Sequence, residues 1–160
     1  MPNENPEFHA FTFKYDILSR RLISDGVIIY YENKGLDVRA LWDTGATNTC
    51  ISEETAKKLA MIPTGKINIK TPSGTKEKYT YMVNIALPNH VGVKELVVCE
   101  SEIGNQGIDL LIGMDVILLG DFAISNYQGK TTFTFRVPSK QTTDYVKQIQ
   151  IENTIGKKRK

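Results

Sequence analysis

The residues best suited to chemistry are Asp43, Thr44, Gly45 and Ala46, which follow the apolar run Ala40-Leu41-Trp42. An apolar strand here delivers a carboxylate into a tight turn. Gly45 has no side chain, so its backbone N–H can approach that carboxylate closely. Thr44 offers a hydroxyl that donates and accepts at once, as a locking network at a symmetric contact requires. One isolated carboxylate cannot serve as base and acid together, whereas two held a few ångströms apart cannot both ionise easily and so share a proton. That shared state contains a base and an acid together. Asp, Thr and Gly are also common turn residues, so the tripeptide alone is weak. It gains weight from a second segment downstream, Gly107-Ile108-Asp109-Leu110-Leu111-Ile112-Gly113-Met114-Asp115, an apolar strand that ends in glycine and enters a short helix.

Together these segments resemble the retropepsin family, the retroviral-type single-lobe aspartic proteases and their cellular relatives. In that family an Asp-Thr-Gly-Ala loop is followed by a flap hairpin and then by a strand of two apolar residues and a glycine that crosses behind the loop. Asp43-Thr44-Gly45-Ala46 matches the loop and Leu111-Ile112-Gly113 the crossing strand. Lys66 to Leu87 occupies the place of the flap, with Thr71, Pro72, Ser73, Gly74 and Thr75 at its tip, bracketed by Lys70 and Lys76. The order and spacing agree from about Val27 to Asn126. The tip departs from the family's glycine-rich flaps, since it carries Pro72 and a single glycine.

The resemblance implies an aspartic endopeptidase in which Asp43 is catalytic, Thr44, Gly45 and Ala46 support it, and Leu111, Ile112 and Gly113 lie behind it. The nucleophile is water, so neither a metal nor an organic cofactor is expected. The chain has one Asp-Thr-Gly. Ser24-Asp25-Gly26 reads as a hairpin turn, and Asp109 and Asp115 flank the crossing strand rather than open a loop. The second carboxylate is therefore expected from Asp43 of another copy, in a twofold homodimer that binds an extended peptide as an added strand. Some relatives carry serine where Ala46 stands; without that hydroxyl, the activity optimum is expected nearer neutrality. Two alternatives stay open: a catalytically idle dimeric peptide- or protein-binding module on the same fold, and an unrelated β-barrel that binds nucleic acid through its basic tail.

Other chemistries find little support. His9 and His90 are the only histidines, and with Cys50 and Cys99 they form no recognisable metal spacing. The cysteines fall on apolar stretches and read as core free thiols, although one bridge is conceivable. No Gly-x-Ser-x-Gly turn and no phosphate-cradling glycine loop occur. Trp42 reads as packing beside Asp43.

The elements that must position the loop are mostly strands. Phe11, Phe13 and Tyr15 alternate with polar residues, as do Tyr79, Tyr81, Val83, Ile85 and Leu87, and Thr131, Phe133, Phe135 and Val137. Period-two patterns separated by Gly, Pro and Asn predict half-buried antiparallel sheet. The expected fold is mainly β: a small closed antiparallel barrel of the retropepsin-like acid protease type. Short helices are expected over Glu53 to Ala60, capped by Ser52, and from Met114 to Leu119, with a C-terminal helix near Thr143 to Thr154. The expected organisation is a mobile N-terminus over 1–10, a protease domain over 11–137, and an extension with a basic tail over 138–160.

At 160 residues the chain suits one domain with its own core. Its formal charge is +2, but Lys157, Lys158, Arg159 and Lys160 supply the excess; the rest holds 16 basic and 18 acidic residues. A basic nucleic-acid-binding body is excluded, and no nucleic-acid partner is expected. No apolar run approaches membrane-spanning length, and residues 1–7 lack a secretory layout, so the expectation is a cytoplasmic protein without a membrane partner.

Overall fold

The computed structural model describes residues 7–71 and 74–158. In chain order the strands are β1 (His9–Lys14), β2 (Leu22–Tyr31), β3 (Lys34–Trp42), β4 (Cys50–Ser52), β5 (Gly65–Thr71), β6 (Gly74–Ala86), β7 (Gly92–Ser101), β8 (Leu110–Ile112), β9 (Asp121–Ser125) and β10 (Thr132–Val137). The helices are α1 (Glu53–Lys58), α2 (Met114–Ile117) and α3 (Tyr145–Lys158). Strands β2-β3-β8-β4-β7-β6 form a ring that closes because β6 also pairs with β2, through Ile28↔Ala86, Ile29↔Ile85 and Tyr30↔Asn84. Closure removes the exposed sheet edges that an open layer would leave. The ring is mixed rather than purely antiparallel. β3 runs parallel to β8 and β4 parallel to β7, because the chain returns through the middle of the sheet to cross behind residue 43.

The alternation in β6 shows what shapes the barrel. Tyr81, Val83 and Ile85 point inward and are buried, as is Leu87 beyond the strand end. Tyr79 continues the sequence pattern but is 43% exposed. There β6 has left the barrel and pairs with β5 as a projecting hairpin, in register from Gly65↔Thr80 to Thr71↔Gly74. Pro72 and Ser73 of the expected tip lie outside the described residues.

A second sheet, ordered β1-β10-β9, covers one end of the barrel. β1 begins at His9, inside the segment expected to be mobile, because its alternating residues pair with β10 from His9↔Val137 to Lys14↔Thr132. Phe133 and Phe135 are fully buried and meet Phe11 and Trp42 in an aromatic cluster. Trp42 stacks on Phe122 at 5.6 Å between ring centroids, and its Nε1–H donates to Ser24 Oγ at 3.0 Å. Such aromatic pairs contribute about 0.5–1.5 kcal/mol each beyond their buried area. Trp42, the residue directly before Asp43, thus joins the two sheets.

Several local expectations are revised. Ser24-Asp25-Gly26 is a bulge inside β2 and not a hairpin turn: the register with β3 shifts between Ser24 and Val27, and Gly26 supplies the required positive φ of 73°. Ser52 caps α1 as expected, its Oγ accepting from Thr55 N at 3.1 Å. The helix stops at Lys58 rather than Ala60, since Ala60 turns left-handed at φ 51°. α2 is shorter than expected, and α3 starts at Tyr145 and runs to Lys158. Tyr145, Val146 and Ile149 on α3 are exposed in the single chain.

Candidate active site

β3 carries Asp43 to the mouth of the barrel, and the backbone holds it there. Asp43 N donates to Ile112 O at 3.0 Å, one step beyond the parallel Trp42↔Ile112 pair. The loop closes on itself when Ala46 N donates to Asp43 O at 3.2 Å. Gly45 N donates to the Asp43 carboxylate, at Oδ1, over 2.8 Å. A Cβ on Gly45 would stand 3.2 Å from that oxygen, tighter than ordinary contact, so glycine lets the N–H approach. Asp43 is half-buried, while Thr44 and Gly45 are exposed on the outer face of the chain.

Strand β8 and the start of α2 clasp the loop from behind. Met114 N donates to Ala46 O at 2.8 Å and Asp115 N to Thr47 O at 3.2 Å. A Cβ at Gly113 would lie 2.6 Å from the Asn48 carbonyl carbon and 3.0 Å from Ala46 O. The glycine of the crossing strand is therefore fixed by close backbone passage. Leu111 and Ile112 supply the parallel ladder to Leu41 and Trp42.

Two further residues complete the clasp. Thr49 N donates to Asp115 Oδ2 at 2.8 Å and Thr49 Oγ1 to Asp115 Oδ1 at 2.6 Å, while Gly113 N donates to Thr49 Oγ1 at 3.1 Å. Asp115 Oδ1 also accepts from Val116 N at 2.9 Å. Sequence reading missed this role because the partners stand far apart in the chain; the sole local signal was an acid in the first turn of a short helix. Every bond to the Asp115 carboxylate comes from a donor. Asp115→Asn presents an amide to one of those donors and is expected to lower stability by about 1–3 kcal/mol, read from the urea unfolding midpoint.

Two clefts flank the loop. One, of about 350 Å³, lies beside Asp43 and is lined also by Arg20, Arg21, Trp42, Thr44, Ile124 and Asn126. Asp43 is the only acid among the described residues lining it. The two arginines were not foreseen, since nothing in their sequence neighbourhood ties them to Asp43. The other, of about 450 Å³, lies between Ala46, Thr47, Asn48 and Cys50 on one side and Ile67, Asn68 and Ile69 of β5 on the other, with Cys99 also in its wall. The β5–β6 hairpin thus faces the Asp43 loop across an open cleft. Thr71, Gly74 and Thr75 lie at its far end.

No group of three or more His, Cys, Asp or Glu that could hold a metal ion occurs among the described residues. His9 and His90, distant in sequence, come to 6.4 Å between ring centroids. The cysteines are not both core: Cys99 is buried, but Cys50 is half-buried and both line the second cleft.

The carboxylate loop, the glycine crossing strand and the facing hairpin have a counterpart among known families. The family model described as "gag-polyprotein putative aspartyl protease" matches residues 31–118, more than half of the chain. The chain belongs to this aspartyl protease family. Its fold is retropepsin-like. A solved retropepsin-like aspartic protease from Rickettsia conorii superposes with a TM-score of 0.54 at 14% identity, covering 83% of this chain and 98% of that one. EIAV protease complexed with the inhibitor HBY-793 gives a TM-score of 0.47 at 20% identity, covering 62% and 88%. The retroviral protease-like domain of Ddi1 from Leishmania major gives 0.35 at 20%, covering 57% and 72%. No curated protein sequence matches the chain. The match over 31–118 spans the aspartyl protease loop, the hairpin, the crossing strand and α2.

Proposed function

We propose that this chain is a homodimeric aspartic endopeptidase in which Asp43 of each copy forms the catalytic pair. The observation that carries the reading is Asp43 itself: a carboxylate fixed by Gly45 N–H on an outward-facing loop, with no second acid among the described residues that line the cleft around it. Two such loops brought face to face by a twofold axis supply the missing partner. The pair holds one proton between two carboxylates. The ionised member takes a proton from water as the water attacks the scissile carbonyl, and the protonated member donates to the carbonyl oxygen. The proton balance is then completed by transfer to the leaving nitrogen. Thr44, exposed at the loop tip, is placed to brace the opposite loop, and the peptide lies extended beneath the β5–β6 hairpins.

Exposed apolar groups support pairing at this face. Ile124 lines the cleft beside Asp43, and Ile17, Leu18 and Tyr127 are exposed nearby in the chain segments tied together by Ser19, Asn126 and Thr131. Among the described residues β9, which carries Ile124, pairs with β10 alone, so its other edge remains available to a second copy. A cytoplasmic setting accords with two cysteines that carry free thiols.

The test is cleavage of a mixed peptide library between about pH 4 and pH 7.5, with fragments identified by mass spectrometry. A bell-shaped rate profile is expected, because one carboxylate of the pair must be ionised and the other protonated. Absence of cleavage by a dimeric preparation across that range would remove the enzyme reading. Ala46→Ser adds a hydroxyl that can donate to the ionised pair and is expected to move the optimum down by about half a pH unit. An optimum that stays in place would show that residue 46 does not reach the pair.

A further inference from the structure

Cys50 and Cys99 are separated by 49 positions but are direct partners in the parallel register of β4 and β7. Neighbouring strands lie about 4.8 Å apart, within the Cα separation of about 4.4–6.8 Å that a disulfide spans. The two Sγ atoms are in contact at 2.7 Å, and both thiols are free. They also share an entrance, since both line the cleft of about 450 Å³ between the catalytic-type loop and β5. The hydrogen bond from Cys50, the largest influence, holds the Cys99 thiol below its ordinary pKa, against the opposing effects of burial and of the Asp115 carboxylate, with a small contribution from Lys78. Cys50 is pushed upward by the same contact and by burial.

We propose that Cys50 and Cys99 are a reversible oxidation site, closed to an intramolecular disulfide by a small peroxide entering the cleft. Hydrogen peroxide suits the site because Cys99 is only 3% exposed and a bulky oxidant would not reach it. The Cys99 thiolate attacks one peroxide oxygen and the O–O bond breaks. Cys99 becomes a sulfenic acid and hydroxide leaves. The Cys50 sulfur, losing its proton to that hydroxide, then attacks Cys99 Sγ. The S–O bond breaks, the S–S bond forms, and the sulfenic oxygen leaves as water after taking up a proton. Overall, two thiols and one peroxide give one disulfide and two waters, so the protein loses two electrons and the peroxide gains them.

The bond joins β4, immediately beyond the catalytic-type loop, to β7, which backs the hairpin strand β6. It also removes the thiol hydrogens of two sulfurs that lie 3.6 Å from Asn48 O and 3.8 Å from Thr49 O. Control of the cleft by this bond rests on the peptidase reading; formation of the bond does not.

The test treats the whole protein with hydrogen peroxide, blocks remaining thiols with iodoacetamide, and measures intact mass and thermal unfolding. Expected are a loss of two hydrogens, no alkylation at either cysteine, and a Tm raised by about 5–10 °C, all reversed by dithiothreitol. Cys50→Ser and Cys99→Ser should each abolish the mass change and the shift, with unfolding of the untreated variants reporting that they fold. Oxygen addition without a cross-link, a bond between two chains, or unchanged mass would overturn the proposal. None of these readouts uses turnover. A protein that cross-links yet cleaves nothing keeps this inference and loses the catalytic one.

Discussion

Asp43→Asn is expected to lower kcat by about 10³-fold or more while leaving the fold and the dimer in place. The substitution is nearly isosteric, and an amide oxygen can still accept the bond that Gly45 N now makes to Asp43 Oδ1. The loop is also held by Asp43 N to Ile112 O and by Ala46 N to Asp43 O, neither of which involves the side chain. Loss of activity with unchanged circular dichroism and sedimentation would therefore report chemistry rather than folding. Mixing gives a sharper measurement. If every active dimer needs two carboxylates, equal amounts of wild type and Asp43→Asn, randomly reassorted, should show about a quarter of the activity of an all-wild-type sample. Half the activity would mean that each copy works alone, and the paired mechanism would fall.

A smaller but still large loss is expected from Ile124→Glu, by a different route. Ile124 is 43% exposed on β9, whose second edge pairs with no strand among the described residues, and it lines the cleft beside Asp43. A glutamate there leaves the single chain soluble and folded but would be desolvated, next to its twin, in the dimer. At dilute enzyme concentration the expected loss is about 100-fold, with part of the activity returning as protein concentration rises. Analytical ultracentrifugation should show the monomer in parallel. Full activity in a protein that sediments as a dimer would move the interface elsewhere.

The parts of this architecture that could be read in advance are those written in short stretches of chain. The Asp43-Thr44-Gly45 turn, the Leu111-Ile112-Gly113 strand, the alternations in β6 and β10, and the Ser52 cap each announce themselves within a few residues. What escaped depends on distant partners. Nothing near Thr49 signals its hydrogen bonds to Asp115, and nothing near Cys50 signals register with Cys99. The parallel pairings of β3 with β8 and β4 with β7 escaped for the same reason, since alternation reports a buried face but not the direction of the neighbour. Asp25-Gly26 was misread because a glycine with positive φ serves a bulge as readily as a turn, and only the β3 register separates them. Tyr79 shows the converse: its period-two position is correct, but the strand carries it beyond the core.

The clasp at Gly113 and Asp115 has a consequence for biosynthesis. Seventy residues separate Asp43 from Gly113, the strand end that lies behind it, so a nascent chain cannot assemble this corner until translation has passed α2. Until then the acidic turn lacks the hydrogen bonds that Ile112, Met114 and Asp115 make behind it, so a chain cut short before α2 cannot hold the loop in its folded form.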